Sequence, residues 1–88
     1  MKLNAMDIIK IGNIELTEAE AAAYYESGKR YFLTYSKIYY IDYSVNAGYN
    51  GRIVYISTSG HFTHKGRFFA YDAAQVNHLL GFKLFNED

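Results

Sequence analysis

Residues 31–45 read YFLTYSKIYYIDYSV, and this stretch decides the fold class. Tyr31, Leu33, Tyr35, Tyr39, Ile41, Tyr43 and Val45 occupy the odd positions, broken only by Lys37, while Thr34, Ser36, Asp42 and Ser44 lie among the even ones. Two-residue alternation of this kind marks a β-strand with one buried face. The tract lacks Gly, Pro and Asn, and its β-branched and aromatic residues suit a pleated surface. Extended throughout, it would span roughly 50 Å, far beyond a strand of about 5–6 residues. It is therefore either one strand bent by a bulge near Lys37 or two strands meeting near Ser36 and Lys37. The bend is preferred, because no residue there takes positive φ easily.

Working outward, Ile9–Leu16 reads as a hairpin about Gly12-Asn13, with Ile11 opposite Ile14, Ile9 opposite Leu16 and Lys10 opposite Glu15. Thr17 and Glu20 form a capping box for a helix ending at Gly28, with Ala19, Ala22 and Ala23 as its small face and one of Tyr24 and Tyr25 as its grip. Asp72 and Gln75 cap a second helix whose face carries Ala73, Val76, Asn77 and Leu80, stopped at Gly81 with Phe82 folding back. Arg52–Thr58 contains the apolar run Ile53–Ile56 and reads as a central strand, with Arg67–Tyr71 returning antiparallel to it. Phe82–Phe85 reads as a last short strand. The expected fold is a single α+β domain over 1–88: an antiparallel sheet of about 3–5 strands with helices at about 17–27 and 72–80, preceded by the hairpin at 9–16. Both helices are expected on one sheet face. The two halves of 31–45 then divide, one into the core and one toward a partner.

The chain has 88 residues, no Cys and a formal net charge of zero. That size supports one modest core, and the missing Cys removes disulfides, thiolate metal sites and a cysteine nucleophile. Zero net charge argues against a strongly acidic nucleic-acid mimic and a strongly basic nucleic-acid wrapper alike. No apolar run approaches the span of a bilayer and the start lacks a signal-peptide pattern, so a soluble, cytoplasmic protein is expected.

His61 and His64 are the one crowding of catalytic residue types, but a metal needs a third protein ligand that the neighbouring residues do not offer. No phosphate loop, nucleophile elbow or paired-carboxylate motif occurs, so no enzyme, cofactor or metal is expected. Ten Tyr and six Phe are a heavy aromatic load for this length, and tyrosine suits interfaces. The expected function is stoichiometric protein binding through a Tyr-rich sheet surface with Tyr35, Lys37, Tyr39, Tyr40 and Tyr49, extending to a homodimer seam. Small inhibitors and regulators from phages and mobile elements have this profile. The alternative is nucleic-acid binding through the basic loop 59–67 and sheet tyrosines, using Arg52, His61, Phe62, His64, Lys65 and Arg67.

Overall fold

The hairpin at 9–16 forms in the register that its alternation dictates. Strands β1 (Ile8–Ile11) and β2 (Ile14–Thr17) pair Ile11 with Ile14, Lys10 with Glu15 and Ile9 with Leu16. Gly12 turns the chain at φ 65°, and a Cβ there would also stand 2.7 Å from Cε2 of Tyr39. The computed structural model describes residues 8–59, 62 and 69–86. Helix α1 (Glu18–Ser27) follows, then β3 (Tyr31–Leu33), β4 (Lys37–Ser44), β5 (Gly48–Ile56), β6 (Phe69–Tyr71) and helix α2 (Ala73–Leu80). A four-stranded antiparallel sheet in the order β5-β4-β3-β6 accompanies the two-stranded hairpin, so the fold is α+β.

Both helices start and stop where their caps require. Thr17 Oγ1 accepts the Glu20 N–H at 3.1 Å and Glu20 accepts the Thr17 N–H at 2.8 Å. Asp72 and Gln75 repeat the exchange at 2.8 and 3.0 Å. Gly28 and Gly81 end the helices in the left-handed region. On α1, however, Ala21 is the buried alanine while Ala19 and Ala23 are exposed. Both tyrosines grip: Tyr24 meets Phe32 edge-on at 5.1 Å, and Tyr25 meets Tyr49 at 5.8 Å.

Residues 31–45 are two strands, not one bent strand. β3 and β4 pair as a hairpin, Tyr31 with Tyr40, Phe32 with Tyr39 and Leu33 with Ile38. The Thr34 N–H and hydroxyl both donate to the Lys37 carbonyl, at 2.9 and 3.1 Å, closing a loop over 34–37. A loop closed by backbone and hydroxyl hydrogen bonds to the Lys37 carbonyl leaves no mark in composition. A bulge does lie nearby, but on β5: the register shifts opposite Ile38 and Tyr39, leaving Val54 without a partner.

The hairpin loop reverses side-chain parity. Phe32 and Ile41 face the β1–β2 hairpin and α1, while Leu33 and Ile38 face α2 with Phe62 and Val76. The helices consequently lie on opposite faces of the sheet, correcting the expectation that they share one. β5 is an edge strand and not central, and β6 returns to β3 and not to β5.

No strand forms at Phe82–Phe85, and Phe82 is half exposed instead of folding back. Asn77, only 7% exposed, holds this segment: its amide donates to the Phe85 carbonyl at 2.8 Å and its carbonyl oxygen accepts the N–H groups of Leu84 and Phe85 at 2.8 and 3.0 Å. Phe85 thereby comes to lie against Tyr31, ring centroids 4.3 Å apart.

Candidate functional site

The tyrosines singled out by pattern do not share a surface. Tyr39 and Tyr49 are half-buried on the face covered by α1 and the β1–β2 hairpin, whereas Tyr40 lies on the opposite face. Tyr35 stands 68% exposed in the β3–β4 loop, and Lys37 begins β4 half-buried. Of the alternative set, Arg52 pairs with Asp42 at 2.6 Å. Phe62 is a core residue, 4% exposed, and its N–H donates to the Tyr35 carbonyl, so its ring does not project for stacking. His61, His64, Lys65 and Arg67 lie outside the described residues.

Arg30 and Arg52 both reach Tyr40, which lies on the α2 face of the sheet. Arg30 reaches from the end of α1, its Nε donating to the Tyr25 carbonyl at 2.8 Å and a terminal nitrogen to the Tyr40 hydroxyl at 3.3 Å. Its guanidinium also lies 3.8 Å from the Tyr25 ring centroid. Arg52 stands over Tyr40 at 5.2 Å, and Tyr31 is 5.1 Å from Tyr40. Each cation here has a partner inside the cluster, so the arrangement ties α1 to the sheet more than it offers charge to a ligand.

Burial pushes the Tyr31 hydroxyl above its ordinary pKa, with Tyr40 adding to the rise and Arg52 and Arg30 opposing it. The folded state thus prefers neutral Tyr31. That contribution to stability is complete below about pH 10, the unfolded value, and is lost as pH rises through the higher folded value. Denaturation midpoints are expected to fall above about pH 10, and to fall less steeply in Tyr31→Phe. An unchanged alkaline profile in that variant would contradict the assignment.

β5 and β6 form the two edges of the four-stranded sheet, and among the described residues the outer edge of β5 is the longer one left open. The Ile41 N–H donates to the Arg30 carbonyl at 2.8 Å, so the backbone groups of Ile41 point toward β3. Its partner on β5, Gly51, must then turn its N–H and C=O away from β4, and alternation gives Tyr49 and Ile53 the same direction. Among the described residues no strand pairs with this edge. Ile53 and Ile56 stand 45% and 60% exposed on the face that carries their partners Tyr39 and Lys37. Gly51 also admits β1 closely, since a Cβ there would stand 2.9 Å from Cβ of Ile11.

Edge strands are usually blunted by lysine, proline, brevity or a bulge. β5 has nine residues, with neither Lys nor Pro; its one charged residue, Arg52, is paired with Asp42 on the neighbouring strand, and the bulge at Val54 leaves the run before it regular. The run Ile53–Ile56 carried the signal for this site. Such a run fits a strand covered on both sides, and it fits equally a strand whose neighbour comes from outside the fold.

Among the described residues no group of three His, Cys, Asp or Glu could hold a metal ion, and no helix is long and apolar enough to cross a membrane. Comparison with known proteins returns no match to a family model, a curated protein or a solved structure. The site therefore rests on its own geometry.

Proposed function

We propose that this chain is a non-enzymatic binding module that takes up an extended protein segment along the outer edge of β5. The observation that carries the reading is the outward-turned backbone of Tyr49, Gly51 and Ile53 beside exposed Ile53 and Ile56. Main-chain hydrogen bonds supply affinity in strand addition, and alternate side chains supply selectivity. Ile53 and Ile56 are the side-chain contacts available to the added strand, with Lys37 and Tyr39 beside them. Stoichiometric occupation of a partner's segment is the action of an inhibitor or regulator, and it needs no catalytic group. The contribution expected of the tyrosines is narrower than their number suggests, with Tyr39 next to the edge and Tyr35 at the sheet's end.

Ile53→Lys tests this directly, because lysine on an edge strand disfavours further pairing. Ile53 is half exposed, so the thermal midpoint should move little. Affinity for a captured protein should fall by about tenfold or more, equivalent to about 1.4 kcal/mol. The measurement is affinity capture with mass spectrometry from the native host, with and without nuclease, comparing the wild type with Ile53→Lys and Ile56→Lys. Capture that is unchanged in both variants would sink the edge reading, and capture abolished by nuclease would favour nucleic acid. The latter has weaker support, with Arg52 tied to Asp42 and Phe62 in the core.

A further inference from the structure

We infer that the segment received by β5 is β5 of a second copy of this chain, paired antiparallel about a two-fold axis through Gly51. This rests on the edge reading and names its occupant. A two-fold axis places Gly51 opposite Gly51 of the second copy, Ile53 opposite Tyr49, and Arg52 opposite Asn50. Tyr49, Gly51 and Ile53 are the residues whose N–H and C=O groups point outward. In this register each of them meets another of the same set, and each such pair exchanges both N–H···O bonds.

Neighbouring registers serve less well. An axis through Arg52 sets two guanidinium groups directly opposite each other in a close, non-hydrogen-bonded pair, which is destabilising. An axis through Asn50 pushes Ile53 past the end of the partner strand, opposite Ala47 in the β4–β5 turn. An axis through Ile53 runs the pairing into the bulge at Val54. The axis through Gly51 uses the regular run Tyr49–Ile53 alone.

Side chains agree with the choice. On the face shared with Tyr39, Ile53 of one copy lies beside Tyr49 of the other, a β-branched and aromatic pair of the kind that stabilises sheets. On the opposite face Arg52 meets neutral Asn50 and keeps its bond to Asp42. The chain's formal net charge is zero, so two copies approach without net repulsion. A single pair of strands is a small contact, and the dimer is accordingly weak, in the micromolar range.

Sedimentation of the wild-type chain from about 1 µM to about 500 µM brackets that range. The expected result is a rise from the 10.1 kDa monomer toward about twice that mass. Ile53→Lys is expected to remain monomeric throughout, with its circular dichroism unchanged. The register is read by Asn50→Cys and Arg52→Cys, since the chain has no cysteine of its own. On mild oxidation the mixed proteins should form the hetero-linked dimer in large excess over either self-linked species. A wild-type chain that stays at monomer mass across the series overturns the second copy as occupant. If that monomer still captures another protein in an Ile53-dependent manner, the edge reading itself survives. A dimer unaffected by Ile53→Lys overturns the second copy's β5 as occupant, with the edge reading falling only if capture is unchanged as well, and predominant self-linking of Asn50→Cys overturns the axis through Gly51.

Discussion

Phe32→Ala is expected to cost about 3–5 kcal/mol, the range for truncating a buried aromatic side chain. Phe32 has no exposed surface and lies where Ile9, Ile11, Ile14, Leu16, Ala21 and Ile41 converge. It is the residue through which the β1–β2 hairpin, α1 and the large sheet share a core, and Tyr24 packs edge-on against its ring. Its removal leaves a void bounded by three elements, none of which can close it without leaving its own partners. Since a domain of this kind is stable by about 5–15 kcal/mol, the variant should be close to unfolding. Urea denaturation measures the loss, and Phe32→Leu keeps a folded state in hand if the alanine variant is too unstable. A loss below about 1 kcal/mol, typical of surface positions, would mean that the hairpin and α1 do not depend on this contact.

Asn77→Ala is expected to lose about 2–3 kcal/mol, because buried hydrogen-bonding groups left without partners cost about 1–3 kcal/mol each. Its consequence should be local. Asn77 binds both edges of the backbone at Leu84 and Phe85, and without it the chain after Gly81 loses its attachment to α2. Phe85 should then leave the Tyr31 ring, seen as a shift in the Tyr31 ring resonances and faster amide exchange at Leu84 and Phe85. Protection in α1 and the β1–β2 hairpin should be unchanged. Retained protection at Leu84 and Phe85 would show that the ring contact holds the segment without the side-chain amide.

The elements that could be read from sequence are those whose instructions are local. Gly12-Asn13 with alternation on both sides specifies a hairpin and its register, and the boxes Thr17/Glu20 and Asp72/Gln75 specify where helices begin. The 34–37 loop was not legible because its closure rests on Thr34 and Lys37, residues with no strong turn preference. Strand order was illegible for a different reason. Whether Ile53–Ile56 lies inside a sheet or at its edge depends on where β6 docks, a pairing with β3 that lies outside the run itself. Tyr39 and Tyr40, adjacent in β4, face opposite sides as alternation requires, but which side each faces depends on the parity change at the 34–37 loop. Asn77 carried a usable signal, a polar residue within an apolar helical stripe. Its partners, however, are backbone groups that no residue pattern announces.

The docking of β6 against β3 has a consequence for how the chain assembles. β3, β4 and β5 follow one another as a meander whose pairings close over short loops, whereas β6 joins residues 69–71 to residues 31–33 across the whole intervening meander. Closing that larger loop carries a greater entropic cost before any contact compensates it, and contacts of that span form slowly. The meander is therefore expected to pair before β6 docks, leaving Leu33 and Ile38 uncovered on their side of the sheet in the interval, an order that pulse-labelled amide exchange would read as protection in β4 and β5 ahead of β6. An uncovered apolar face would then accompany the outer β5 edge, which no described strand covers, so association between chains is expected to be greatest before folding is complete.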